Sequence, residues 1–258
     1  MVNDYSCIGL NIPTDDDLYD FATDMAEQTE FRQSTHGPYA VLQGGSRIEL
    51  WYYGDKNGVD PYSIELYHRS PITVIGSECG WVRLPEDNMG SGLLYVFLND
   101  GDIQFPLNVE IVDAFLYEEP FLNLDDSAKC KLNLTLFARS MDVSENDAKY
   151  YEERNGGKGL AAEGCIPCGT FPLEGQEDDF VPTATALLNG TVIEAEQLEN
   201  PLTGILYWSF ILKCLGHTFS AVAPLEFAKK LCKGNIVRGY YWVSGKITAR
   251  VSTSKSSQ

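Results

Sequence analysis

The sequence predicts an α+β, β-rich fold, in which a mainly antiparallel N-terminal mixed α/β-sheet domain precedes a small C-terminal β-barrel. Short runs of alternating apolar residues follow one another, separated by Gly, Asn, Asp and Pro, as in successive strands. One segment near the N-terminus has the apolar spacing of a helix instead. The run from Asn235 to Val251 alternates throughout, with Gly239 and Gly245 on its apolar face, where a strand can coil around a barrel corner.

The first elements are predicted to be a strand from Tyr5 to Ile12, ended by Pro13, and a helix with Thr14 as its N-cap. Three aspartates follow Thr14 in the first turn, where the helix dipole favours negative charge. The i, i+3, i+4, i+7 spacing gives the helix one apolar stripe that should pack on a sheet: Leu18, Phe21, Ala22 and Met25.

Six strands are predicted next, and turn residues separate them. The apolar runs on either side of Asn99-Asp100-Gly101 predict a hairpin. A strand from Lys131 to Ala138 and a short helix opened by Ser144 to Asp147 complete this part. The six strands are Tyr39 to Leu42, Arg47 to Tyr53, Tyr62 to His68, Ile72 to Arg83, Leu93 to Leu98 and Ile103 to Phe115.

Glycine-rich and acidic stretches divide the chain into four expected parts. These are an acidic α+β domain (1–155), a linker (156–181), a barrel domain (182–251) and a disordered tail (252–258). Within 182–251 the predicted elements are three strands, a short helix and one long strand: Ala184 to Glu196, Leu206 to Cys214, Thr218 to Ala223, Pro224 to Leu231 and Asn235 to Val251.

This order of elements, with Asn200-Pro201-Leu202-Thr203-Gly204 as a turn, resembles the oligonucleotide/oligosaccharide-binding (OB) fold. Proteins of that fold bind single-stranded nucleic acid or sugars through aromatic and basic side chains on exposed strands. The resemblance implies a ligand-binding stripe of Arg238, Tyr240, Trp242, Lys246 and Arg250. In the competing interpretation, Tyr240 and Trp242 pack beneath the N-terminal domain.

The stretch from Tyr5 to Tyr53 also resembles one unit of the glyoxalase-like vicinal-oxygen-chelate fold. Ile8-Gly9-Leu10 and Ile48-Glu49-Leu50 stand at comparable places. That family binds a metal through a His or Glu on its first strand and a later Glu. Glu49 matches the later position, whereas Tyr5 to Leu10 contains no His or Glu, so the metal chemistry is not expected in this chain.

The charge is strongly negative and unevenly distributed. Net charge is -18, with 33 acidic against 11 basic residues in 1–180 and 4 against 8 in 181–258. Such a field repels nucleic acid and anionic membranes and attracts basic partners, although solubility alone would also account for it. No membrane span or basic signal-peptide start is evident, so a cytoplasmic protein is expected.

The seven cysteines include one Cys-x-x-Cys pair, Cys165 and Cys168. With Cys214 and His217 these residues have permissive spacing for a zinc site, and zinc is the one cofactor that the sequence suggests. Buried or linker thiols are the competing interpretation, and the extended chain expected after Cys168 argues against redox activity.

With three histidines and no recognisable nucleophile or phosphate-binding motif, the sequence favours a non-enzymatic binding protein. The leading hypothesis is an inhibitor or immunity-type partner of a basic protein. Nucleic-acid or oligosaccharide binding through the C-terminal strand is the first alternative, and zinc binding is the second. Oligomeric state does not follow from the sequence.

Overall fold

A computed structural model of the protein describes residues 3–34, 36–54, 61–84, 90–98, 103–118, 121–124, 128–153, 161–172, 175 and 179–251. Side chains are described throughout these ranges except at 61–63. The expected tail (252–258), the turn at 99–101 and part of the expected linker lie outside the described residues.

The chain begins with a 3₁₀ helix, Asp4–Ile8, where the sequence predicts a strand. That prediction is wrong because local capping overrides the apolar pattern. The Asn3 side chain accepts a hydrogen bond from the Ser6 backbone N–H, and Gly9 ends the turn in the left-handed region at φ 71°. Cys7 and Ile8 are buried by this turn.

Helix α1 (Asp15–Gln28) is confirmed with its predicted cap. Thr14 and Asp17 form a reciprocal capping box, since the Thr14 hydroxyl accepts from the Asp17 N–H and the Asp17 carboxylate accepts from the Thr14 N–H. The predicted apolar stripe packs on the hydrophobic core.

Four strands that follow α1 form an antiparallel sheet in chain order. β3 is buried along its whole length, which fits its almost uninterrupted run of apolar and aromatic residues. The strands are β1 (Arg32–Ser34), β2 (Gly37–Gly44), β3 (Ile48–Gly54) and β4 (Pro61–His68).

A second, nine-stranded sheet contains the other strands of the described ranges. They are β5 (Val74–Arg83), β6 (Gly92–Leu98), β7 (Phe105–Ile111), β8 (Lys129–Ser144), β9 (Gly164–Ile166), β10 (Thr185–Glu199), β11 (Leu206–Cys214), β12 (His217–Pro224) and β13 (Ile236–Val251). Pairing is antiparallel except between β12 and β8 and between β13 and β7. The β-rich, mainly antiparallel fold predicted from the sequence is therefore confirmed.

β8 and β13 pair almost end to end, and two closed circuits of strand pairing share them. One circuit runs β8-β5-β6-β7-β13 and the other runs β8-β12-β11-β10-β13. β8, from the segment expected to belong to the N-terminal domain, thus pairs with the strands of 182–251. The expected domain division and the OB assignment stay predictions.

Three short helical elements complete the described chain, and the first is a 3₁₀ helix, Ala114–Leu116, which follows β7. α2 (Asp147–Glu153) follows β8, and Asn146 caps it by accepting a hydrogen bond from the Lys149 N–H. The helix predicted from Pro224 to Leu231 is wrong in extent, because only Leu225–Phe227 forms a 3₁₀ turn. Trp208 donates its indole N–H to the Ala228 carbonyl, which ties the chain down just after that turn.

No helix in the described ranges combines the length and the apolar character that crossing a membrane requires.

Candidate ligand-binding cavity

A cavity of about 310 Å³ lies where β4, the ends of β5 and β7, and β8 and β13 meet the N-terminal 3₁₀ helix. Its volume is at the lower end of the range typical of small-molecule sites. The wall combines charged, aromatic and apolar side chains: Asp4, Tyr5, Ile64, Glu65, Leu66, Arg83, Ser91, Glu110, Arg139 and Trp242.

Separate strands bring the charged groups together. Glu65 lies on β4 opposite Trp51 of β3, and Glu110 lies on β7 opposite Leu93 of β6. Arg83 is the last residue of β5. Strand pairing places Arg83 and Glu110 on either side of Leu93 of β6, and packing of the four-stranded sheet on the nine-stranded sheet brings Glu65 beside them.

Four of the five charged side chains form two ion pairs. Arg83 Nη2 lies 2.7 Å from Glu110 Oε1, and Arg83 Nη1 donates to the Ser91 carbonyl. Arg139 donates from Nε and Nη2 to the two carboxylate oxygens of Asp4, at 2.8 and 2.6 Å. This bidentate geometry fixes both side chains. Each arginine is thereby neutralised by one carboxylate.

Glu65 is the remaining carboxylate, and within the described ranges it forms no ion pair. Its one hydrogen-bond neighbour there is Ser91, whose Oγ lies 3.4 Å from Glu65 Oε1 and 2.6 Å from Glu110 Oε1. Burial and then the charge of Glu110 raise the pKa of Glu65 to about 7. Near neutral pH the carboxyl group is therefore divided between its two protonation states.

Glu65 and Glu110 share the Ser91 hydroxyl as a hydrogen-bond donor. That hydroxyl has one hydrogen, and the shorter contact directs it mainly to Glu110. Its weaker contact with Glu65 favours the ionised carboxyl and lowers its pKa, but burial and the charge of Glu110 outweigh this effect. The cavity can thus store a proton that a cationic ligand would displace.

The five residues of the predicted ligand-binding stripe do not share one environment. Trp242 lines the cavity and is 9% exposed, with its ring 5.1 Å from that of Phe137. Ser244, two residues further along β13, donates its hydroxyl to the Leu66 carbonyl of β4, so β4 covers this face. Arg238, Tyr240 and Arg250 are partly exposed.

Lys246 lies in a separate enclosed group, which we call the lysine cage: Glu49, Trp51, Tyr67, Asp113 and Lys246. Its Nζ lies 2.5 Å from Glu49 Oε2 and 3.9 Å from Asp113 Oδ2. The same nitrogen lies 4.3 Å from the centroid of the Trp51 ring and 4.5 Å from that of Tyr67. Lys246, which the sequence predicts to bind a ligand, therefore pairs with carboxylates and aromatic rings of its own fold.

The expected zinc ligands do not form a set. In the part of the chain that the structure describes, no group of three or more His, Cys, Asp or Glu side chains is arranged to hold a metal ion. His217 Nε2 lies 2.8 Å from the Ile103 carbonyl oxygen. Cys168 is exposed, whereas burial raises the pKa of the Cys214 thiol to about 12.

A larger groove, of about 790 Å³, lies beside the 3₁₀ turn that follows β12. Three exposed lysines line it, Lys229, Lys230 and Lys233, together with Asp142 and Glu145. Because its charged side chains are solvated, we place the candidate site in the smaller cavity.

No family model, curated protein or solved structure matches the chain. The two fold resemblances therefore remain interpretations of the sequence, and the side chains themselves carry the evidence for function.

Sequence reasoning nominated Trp242 but missed the carboxylates around it. The available signal was a single carboxylate with an apolar residue on each side, as at Glu65 between Ile64 and Leu66, or at Glu110 between Val109 and Ile111. A glutamate in such a context has to find a partner or keep its proton.

Proposed function

We propose that this protein is a non-enzymatic binding protein whose partner is a basic protein. One observation carries the proposal, namely the solvent face of α1. The helix contains six carboxylates and no lysine or arginine, and all six acidic residues are exposed: Asp15, Asp16, Asp17, Asp20, Asp24 and Glu27.

The acidic face has the composition of a docking surface. Tyr19 lies within it and is 59% exposed, while the opposite face of the helix packs on the core. An aromatic side chain among like charges supplies contact area, and the charges speed association with a complementary surface. The excess of acidic residues in 1–180 extends the same field. Sequestering a basic partner in this way would be the action of an inhibitor or immunity-type protein.

A pull-down with two matched variants tests the proposal. The helix variant carries Asp16→Asn, Asp20→Asn, Asp24→Asn and Glu27→Gln, and it keeps Asp17 because that residue closes the capping box. The control variant removes the same number of exposed carboxylates elsewhere, through Glu118→Gln, Glu194→Gln, Glu199→Gln and Glu226→Gln. Circular dichroism checks that both variants are folded.

We expect wild type and control to retain a basic protein at about 0.1 M salt and to release it at about 1 M, where the Debye length falls to roughly 3 Å. The helix variant should retain much less. Capture of no protein, or equal capture by both variants, would contradict the proposal.

The alternative function is single-stranded nucleic-acid or oligosaccharide binding by an OB-type module in 182–251. The partly exposed Arg238, Tyr240 and Arg250 support it. The enclosed Trp242 and the neutralised Lys246 weaken it, because both are withdrawn from the stripe. Fluorescence titration with single-stranded oligonucleotides and with oligosaccharides tests this alternative directly.

A further inference from the structure

Three carboxylates and two arginines of the described residues line the cavity, so one carboxylate is without a cationic partner in its wall. Arg83 neutralises Glu110, and Arg139 neutralises Asp4. With Glu65 ionised, the wall therefore carries one uncompensated negative charge. A carboxylate in such a setting is stabilised most by a cation that hydrogen-bonds to it directly.

The other side chains of the wall suit an organic cation. Ile64 and Leu66 offer apolar surface beside Glu65, and Tyr5 and Trp242 add aromatic rings. The Tyr5 hydroxyl already donates to the Ile64 carbonyl, at 3.2 Å, so its ring is held in place. Aromatic and carboxylate groups together are the usual means by which proteins bind ammonium and guanidinium groups.

The lysine cage shows that this chain already uses the same chemistry. There an ammonium group lies against two carboxylates and two aromatic rings, all from its own fold. The cavity has the same kinds of groups, but in the described residues no cation forms an ion pair with its third carboxylate, Glu65.

We propose that the cavity binds a protonated alkylamine or a guanidinium group, with Glu65 as the anchoring carboxylate and Trp242 as an aromatic wall. The inference does not rest on the acidic face of α1. The helix variant leaves every cavity residue in place, so the two proposals can fail separately.

Binding should depend on pH because the cation selects ionised Glu65. The charged and titratable groups around that carboxyl come from five elements: Glu110 of β7, Arg83 of β5, Asp4 and Tyr5 of the 3₁₀ helix, Arg139 of β8 and Tyr53 of β3. Since the pKa of Glu65 is raised to about 7, affinity should increase as pH rises through that value. Below it, binding should release a proton.

Titration of the full chain with small probes tests the inference. n-Butylamine and methylguanidine are the cationic probes, and 1-butanol and butyrate are the neutral and anionic controls. NMR chemical shifts report binding at each pH, and calorimetry in buffers of different ionisation enthalpy reports proton release. The variant is Glu65→Gln, with Glu194→Gln, an exposed carboxylate on β10, as its matched control.

We expect saturable binding of a cationic probe, with a dissociation constant of roughly 1 mM or tighter. Glu65→Gln should weaken it by about tenfold or more, because a hydrogen bond to a charged group is lost. Glu194→Gln should bind as wild type does. No saturable binding by folded wild type, unchanged binding by Glu65→Gln, or equal binding of 1-butanol would each overturn the inference.

A second arm distinguishes a free amine from a side chain of a peptide or protein. N-acetyl-lysine N-methylamide carries the same ammonium group on a backbone unit. Tighter binding of this probe than of n-butylamine supports a lysine side chain as the source, whereas the reverse order supports a small free amine. Failure of both of these probes and of methylguanidine would overturn the inference. The wild-type pH dependence provides a test that does not depend on any variant, since affinity that does not change between pH 6 and 8 would contradict the role of Glu65.

Discussion

Lys246 Nζ lies 2.5 Å from Glu49 Oε2, and the two side chains are 16% and 7% exposed. Burial disfavours the charge on Glu49, but the Lys246 ammonium, the Trp51 indole N–H and the Arg69 guanidinium together lower its pKa. The pair joins β13 of the nine-stranded sheet to β3 of the four-stranded sheet. An enclosed ion pair of this kind becomes costly when one partner is removed.

Lys246→Met should therefore destabilise the protein by about 3–5 kcal/mol, because Glu49 and Asp113 would be left without their ammonium partner. Chemical denaturation measures the change in the free energy of unfolding. Lys213→Met, at an exposed lysine on β11, is the control and should change stability by less than about 0.5 kcal/mol.

A double-mutant cycle with Glu49→Gln separates the ion pair from lost packing. We expect a coupling energy between roughly 0.5 and 3 kcal/mol. Additive effects of Lys246→Met and Glu49→Gln would show that the contact does not stabilise the fold.

Glu65→Gln should stabilise the protein above neutral pH. The pKa of Glu65 is raised to about 7 in the folded state, against an ordinary value near 4.5, so the folded state holds its proton more tightly. Stability due to this group is present at low pH and is lost as pH rises between about 4.5 and about 7. Above that range the cost of ionisation reaches up to about 3 kcal/mol.

Denaturation of wild type and Glu65→Gln from pH 4 to pH 8 measures the difference. The increase in unfolding free energy from Glu65→Gln should grow with pH and level off above about pH 7. A constant difference across the range would show that Glu65 titrates normally. Glu194→Gln provides the baseline for loss of an exposed carboxylate.

Local patterns in the sequence predicted the strands well, because alternation and turn residues act over a few neighbours. The capping box at Thr14 and Asp17 is one such local signal. The segment Asp4–Ile8 departs from its pattern because Asn3 and Gly9 favour a turn. Sequence reasoning could not place Glu65 beside Ser91 and Glu110, since that contact depends on how the four-stranded sheet packs on the nine-stranded sheet. For the same reason Lys246, on the face of β13 that the sequence predicts to be exposed, is covered by β4.

Ser91→Ala should raise the pKa of Glu65 further. The contact from the Ser91 hydroxyl lowers that pKa in wild type, in opposition to burial and to the charge of Glu110. NMR titration of the side-chain carboxyl carbon measures the shift, and Ser220→Ala, at a buried hydroxyl on β12, is the control. A lower pKa in Ser91→Ala would contradict the hydrogen-bonding scheme proposed for the cavity. The pH at which amine binding strengthens should move upwards with the pKa.

His68 should make the protein sensitive to acid. The imidazole is enclosed, with Nε2 3.2 Å from the Tyr207 hydroxyl and Nδ1 without a hydrogen-bond partner among the described residues. Burial and then the charge of Arg47 lower its pKa to about 3, whereas the unfolded chain protonates near 6.5. The unfolded state therefore binds more protons between these values, and stability falls as pH falls below about 6.5. Between pH 7 and pH 4 the loss of stability should reach up to about 3 kcal/mol.

The variant His68→Gln tests this prediction. It should remove the slope from the curve of unfolding free energy against pH, at some cost in packing that does not vary with pH. His36→Gln, in the turn before β2, is the control and should keep the slope. An unchanged slope in His68→Gln would show that the imidazole accepts a proton within the folded protein.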